Sequence, residues 1–321
     1  MYPQQLATTP GGENMLRGAV LLLLLLTWAP SPGAPRFDPG LPHPVRPLPF
    51  FYDLYTFRGD ERTTTVVAAF AVPVRRLERE SRDHGVRYRF DVTLVLADTA
   101  LRSVSRTDDS VFVVAPRPLS GDHLLHTHIE VRAPPSRTTL QRVVMTDAST
   151  PGIGQLYGSA FPIPDYGGTQ LMLSDIALGR PGATVGWQRG NVVLALLPTS
   201  QFPEGSFDVY YEVYNLPAGH RYATEISVER MDETGSEDPS GSGAVRTLFT
   251  GEAATRPDGT LPELRRVDTS LPKGRYRLTV EVTDQATGQS AERSRTFHVR
   301  GGGWGATMVP ALRRGRTTPT P

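Results

Sequence analysis

The chain has 321 residues, with 34 basic against 33 acidic side chains and no cysteine. That length suits two domains of about 100–150 residues, and the missing cysteines exclude disulfide frameworks, thiolate metal sites, thiol nucleophiles and a lipidated N-terminal cysteine. The nearly cancelling charge argues against nucleic-acid binding, and the only lysine, Lys273 in Pro272-Lys273-Gly274, leaves no P-loop.

Residues 15–34 carry one positive charge, an eleven-residue apolar run from Ala19 to Ala29, and then small residues. This is the pattern of a signal peptide, and the run is shorter than the ~20 residues a membrane-spanning helix needs. Residues 1–34 therefore read as a signal peptide, with 1–14 as an extension ahead of an initiator at Met15. The expected product is exported to the periplasm, the cell surface or the medium. It is not a lipoprotein and has no spanning helix once the signal is removed. Six prolines from Pro35 to Pro49 fix φ and favour an extended segment, so 35–49 reads as a linker.

From residue 50 the pattern becomes that of strands. Val86, Tyr88, Phe90, Val92, Leu94 and Leu96 alternate with Arg87, Arg89, Asp91, Thr93, Val95 and Ala97, a period of two that fits a half-buried strand. Shorter runs at 51–57, 64–72, 101–107, 110–115, 124–132 and 138–146 complete a first sandwich over 50–165. Residues 151–168 are crowded with glycine and proline and read as the loop between domains, with the boundary near Asp165. A second series at 170–177, 192–197, 207–214, 222–229, 244–249, 274–282 and 294–299 predicts a second sandwich over 166–300. Ala286-Thr287-Gly288-Gln289 suits the hairpin turn between its last two strands. No long window shows a helical apolar period. The expected fold is thus all-β: two tandem antiparallel immunoglobulin-like β-sandwiches with little helix apart from the signal peptide. Residues 301–321 open on three glycines and end in Arg-rich and Thr-Pro sequence, and read as a disordered tail.

Leu171-Met172-Leu173-Ser174-Asp175-Ile176, followed by Phe207-Asp208-Val209-Tyr210-Tyr211-Glu212-Val213-Tyr214-Asn215-Leu216, resembles the β-rich region of bacterial GWxTD-domain proteins over roughly 165–300. The resemblance implies export and β-sandwiches. The signature itself is absent: Gly186-Trp187 and Gly303-Trp304 both lack the Thr-Asp that should follow. No catalytic residue is carried over.

Among candidate sites, His126, His128 and Glu130 share one face of the strand 124–132. Imidazoles two residues apart on a strand can reach one metal, with Glu130 as third ligand; the alternative is a solvated polar face. Tyr210, Glu212 and Tyr214 share the outer face of the strand 207–214, where aromatic rings stack on sugars or anchor a protein. The alternative there is packing on the neighbouring domain or a covering loop. Asp232, Glu233, Glu237 and Asp238 crowd one loop that could wrap calcium, without the oxygen spacing of an EF-hand; a soluble hairpin loop is the other reading. Gly-x-Ser-x-Gly, His-Glu-x-x-His and Gly-x-Gly-x-x-Gly are all absent. The sequence therefore reads as an exported, non-catalytic binding or structural protein of the bacterial cell envelope, with a protein or glycan partner and no cofactor. The alternative is a metal- or carboxylate-dependent hydrolase acting on envelope polymers.

Overall fold

The structure, a computed structural model, describes residues 46–102, 104–121, 123–149, 152–180, 182–183, 185–199, 202–232, 245–268, 271–303, 309–310 and 312–313. The expected signal peptide and all but the end of the proline-rich linker lie outside these residues. So do Glu233, Glu237 and Asp238 of the candidate calcium loop.

Among the described residues the secondary structure is strand, apart from a 3₁₀ turn at Val74–Arg76. In chain order the first sandwich contains β1 (Arg46–Pro47), β2 (Phe51–Arg58), β3 (Thr64–Pro73), β4 (Arg79–Arg82), β5 (Gly85–Asp98), β6 (Val104–Ala115), β7 (Leu124–Ala133), β8 (Ser136–Asp147) and β9 (Gly152–Ile163). The second contains β10 (Met172–Leu173), β11 (Ala177–Arg180), β12 (Trp187–Arg189), β13 (Val192–Leu196), β14 (Phe202–Glu204), β15 (Phe207–Tyr214), β16 (Arg221–Met231), β17 (Val245–Glu252), β18 (Thr260–Val267), β19 (Gly274–Asp284) and β20 (Ser290–Gly303). Two short strands, β21 (Val309–Pro310) and β22 (Leu312–Arg313), follow.

Both sandwiches repeat one topology. In the first, β2-β3-β7 faces β9-β8-β5-β6; in the second, a sheet built on β11, β15 and β18 faces β20-β19-β16-β17. In each, a short strand runs parallel to the last long one, β1 on β9 and β14 on β20. This is the immunoglobulin/fibronectin-type order, reached twice by one chain. The second sandwich adds a hairpin, β12–β13, that widens its first sheet beyond β11.

Alternation builds both cores. Val86, Tyr88, Phe90, Val92, Leu94 and Leu96 are buried in the first, against Val66, Ala68, Phe70 and Val72 of β3. In the second, Phe207, Val209, Tyr211 and Val213 of β15 pack on Tyr276, Leu278, Val280 and Val282 of β19. Two strands break the half-buried rule: β3 and β15 are buried at every position. Their second faces, Val67 and Ala69 on one and Tyr210 on the other, enter a third cluster with Tyr55, Phe57, Ala177, Trp187, Leu194 and Leu196. That cluster joins the sandwiches.

Four expectations are corrected. The glycine-rich segment from 152 is the strand β9 and not a loop, so the connection between sandwiches is confined to residues 164–171. Its glycines are there for close approach: a Cβ on Gly154 would lie 2.2 Å from the Leu48 carbonyl oxygen and 2.9 Å from the Phe50 ring. The end of the linker therefore belongs to the fold, with Leu48 buried in the first core. The C-terminal segment contributes structure too, β21 pairing with β7 and β22 with β6 on the first sandwich. Finally, 101–107 and 110–115 form one strand, β6.

Replacing Gly154 with Ala should lower stability by about 1–3 kcal/mol through overpacking, read as a lower urea midpoint at unchanged slope. Gly121→Ala, where the new Cβ meets the Arg75 Cβ at 3.4 Å, should leave the midpoint in place.

Candidate functional site

Among the described residues a dense set of polar contacts lies along the seam, and it starts from a backbone problem. β2 is hydrogen-bonded to β3 on one side only, so Leu54, Thr56 and Arg58 turn backbone groups away from their own sheet. Unpaired edge groups that are taken out of water must find partners. The second sandwich supplies them. Arg295 of β20 donates to the Leu54 carbonyl at 3.0 Å. Asp175, in the break between β10 and β11, accepts the Thr56 N–H at 2.9 Å and returns its own N–H to the Thr56 carbonyl at 3.0 Å. The Tyr214 hydroxyl accepts the Arg58 N–H at 2.8 Å, and Arg189 of β12 donates to the Arg58 carbonyl at 2.7 Å. Side chains here stand where a neighbouring strand would.

Each of these groups is itself held. The Glu212 carboxylate takes Arg189 through Nε at 2.7 Å and a terminal nitrogen at 2.8 Å, and the Tyr210 and Tyr214 hydroxyls at 2.7 Å each. Burial, and then the Glu212 charge, push both tyrosine pKa values up, so both remain proton donors. The Arg58 guanidinium lies 4.3 Å over the Tyr214 ring and bonds the Tyr166 carbonyl and Asn215 Oδ1. Tyr166, in the connection between sandwiches, meets Thr56 Oγ1 at 2.7 Å; burial, and then Asp175, push its pKa up to about 12. At the other end of β2, Asp53 binds Arg295 and the Thr199 hydroxyl. Arg295 lies 4.1 Å over the Tyr55 ring. Between the two ends, Trp187 stacks on Phe57 at 4.9 Å and meets Tyr210 edge-on at 5.4 Å.

This arrangement revises the sequence expectations. Tyr210, Glu212 and Tyr214 are fully buried and form no exposed partner-binding stripe; the first sandwich covers them. Glu212 accepts four hydrogen bonds and has no capacity left to act as a base or a ligand. His126, His128 and Glu130 do share the outer face of β7, but they do not converge on a metal. Glu130 accepts the Trp187 indole N–H, and His126 is buried, with the Arg180 charge opposing a positive charge there, a poor setting for a cation. Among the described residues no group of three or more His, Asp or Glu could hold one.

One further histidine pair escaped the sequence reading. His220 Nδ1 lies 3.0 Å from Asp284, at the turn closing the β19–β20 hairpin, where Asp284 also accepts the Thr287 hydroxyl at 2.7 Å and the Ala286 N–H at 2.9 Å. The Thr287 hydroxyl chiefly, with His220 and Ala286 adding to it, holds the Asp284 carboxyl down at about 2.

No protein-family model matches the chain, and no curated protein matches it. Solved structures similar to it include a β-glucuronidase of Bacteroides uniformis, at 9% identity and a TM-score of 0.25 over 72% of this chain and 26% of that one. Red sea bream transglutaminase is similar at 10% identity and a TM-score of 0.21, over 78% and 31%. The FN1–FN3 domains of chicken CNTN1 are similar at 12% identity and a TM-score of 0.22, over 80% and 69%. The chain spans about a quarter of the glucuronidase and under a third of the transglutaminase.

The residues that matter most at the seam, Asp53, Arg58, Asp175, Arg189 and Arg295, were not singled out from sequence. A signal for the seam did exist: 64–73 reads Thr-Thr-Val-Val-Ala-Ala-Phe-Ala-Val-Pro, a continuous small and apolar run that marks a strand buried on both faces.

Glu212→Ala should cost about 3–5 kcal/mol, because it strands the Arg189 charge and two tyrosine hydroxyls; chemical denaturation measures it. The double variant Tyr210→Ala, Tyr214→Ala should unfold more readily, through the same seam. Because the Asp284 pKa is depressed, its contribution is complete above about pH 4 and is lost as pH falls towards 2. Asp284→Asn should accordingly show a flatter fall of thermal midpoint over that window.

Proposed function

We propose that this is an exported, non-catalytic binding or structural protein of the bacterial cell envelope, which contacts a protein or glycan with the outer face of its first sandwich. The observation that carries the reading is how the seam consumes polar and aromatic groups. The buried carboxylates, the arginines that face them and the aromatic rings of β2, β12 and β15 hold the two sandwiches together, and the sheets β9-β8-β5-β6 and β20-β19-β16-β17 keep their outer faces towards solvent.

The outer face of β6-β5-β8 has the composition of a contact surface. Val104, Ala97 and Leu140 lie in register across the three strands, with Val104 56% and Leu140 40% exposed. The next rows are Arg106, Val95 and Arg142, then Asp108, Thr93 and Val144. Apolar side chains set among arginines on an open sheet face suit an extended partner surface better than a small substrate. The outer face of β17-β16-β19-β20 is more charged, with Arg246 paired to Glu225 at 2.9 Å. Export is supported by the apolar run from Ala19 to Ala29 and by the resemblance to GWxTD-domain proteins.

The test is fractionation of producing cells together with capture from envelope extract by the full-length protein. The expected outcome is recovery in the envelope or the medium with the first ~34 residues removed, and a partner lost on Val104→Asp with Leu140→Asp while the melting curve is unchanged. Recovery in the cytoplasm with residues 1–34 intact would overturn the reading. So would hydrolysis of an envelope polymer that His128→Ala abolishes.

A further inference from the structure

His126 differs from the charged side chains of the seam. It is 8% exposed, and neither Nδ1 nor Nε2 has a hydrogen-bond partner. Asp53, Asp175, Glu212, Arg189 and Arg295 are all hydrogen-bonded or paired. A buried imidazole without partners costs the docked state more once it gains a proton than while it is neutral.

We propose that His126 makes the docking of the two sandwiches acid-sensitive: a proton on its imidazole finds no acceptor in the seam, faces Arg180, and drives the second sandwich off the first.

The surroundings of His126 give a proton no compensation. On its own strand His128 and Glu130 share its face, and Glu130 is engaged by the Trp187 indole. From β3 the neighbours on that face are Ala71, directly opposite, and Ala69. From β2, Asp53 lies opposite Ala69 and is held by Arg295 and Thr199. β21 pairs with the His126 backbone through Pro310. From the second sandwich β13 presents Leu194 and Leu196 to the seam, and the charge acting on the imidazole is Arg180 of β11, which opposes protonation.

The sign follows from linkage. Burial, and then Arg180, hold the imidazole pKa down at about 3, against about 6.5 when the sandwiches part and the ring reaches water. Docking is at full strength above about pH 6.5. It weakens about tenfold for each pH unit below that, until the docked imidazole itself protonates. At pH 5 the docking constant is therefore about 30-fold smaller than at neutral pH.

The absence of cysteine allows a direct measurement. Arg102→Cys and Thr247→Cys, on exposed positions of the two sandwiches, carry a donor–acceptor dye pair in the full-length protein. Transfer efficiency should fall between pH 6.5 and 4 while the far-ultraviolet circular dichroism of the strands is kept. His126→Leu should move that fall at least one pH unit lower. His126→Gln, polar but not titratable in this range, should do the same if the leucine variant folds poorly. Because Asp53, Asp175 and Glu212 are present in every variant, the difference between curves belongs to His126. Superimposable curves for wild type and both variants would overturn the proposal. So would a His126 imidazole that titrates near 6.5 by NMR in the docked protein, or dichroism lost at the same pH as transfer.

Discussion

The free edge of β2 is the constraint on which the two-sandwich arrangement depends. A sheet edge presents a row of N–H and C=O groups that must be paired, solvated or screened. Natural sandwiches usually leave such an edge in water and blunt it with charge. Here the edge is taken out of water and met by five groups of the second sandwich, only one of which is a backbone amide. Because each partner binds one particular β2 group, the seam has a register as well as an affinity. A slip of one residue along β2 would turn these backbone groups away from Asp175, Tyr214, Arg189 and Arg295 together.

That requirement explains the side chains chosen. Arginine offers several N–H donors in a rigid fork, so Arg189 can bind both oxygens of Glu212 and still reach the Arg58 carbonyl. Arg295 reaches Asp53 and the Leu54 carbonyl with one nitrogen. A lysine would supply a point charge without the planar geometry. Burying these charges costs desolvation that their pairing only offsets. The favourable free energy of docking comes instead from the apolar cluster around Trp187, Phe57 and Tyr210, while the charges fix how the sandwiches meet.

The parts of this design that were legible from sequence are those governed by period. Alternation in 86–97 and in 207–214 located the cores, and the bounds of β15 were read to the residue. Glycine density misled at 151–168, because Gly154 and Gly158 serve close approach inside a strand and the signal used was their number rather than their position. β18 was missed because Thr260-Leu-Pro-Glu-Leu-Arg-Arg-Val buries Glu263 among charged neighbours and so hides its period. The seam was not legible at all as a set of contacts. Thr56 and Asp175 are 119 residues apart, and Leu54 and Arg295 are 241 apart, separations at which no local pattern exists. For the candidate site, parity put His126, His128 and Glu130 on one face correctly. Parity says nothing about what that face meets, and it meets the second sandwich.

The placement of β21 and β22 has a topological consequence. The chain enters the first sandwich at β1, leaves it after β9, builds the whole second sandwich, and returns to the edges of β7 and β6. The second sandwich is thus a closed loop, anchored at both ends to the first. A body held by two tethers pays little entropy to re-dock, since neither tether lets it travel far and its local concentration stays high. Parting at the seam is accordingly a breathing motion of restricted reach, quickly reversed, in place of the free swing available to domains strung on a single linker.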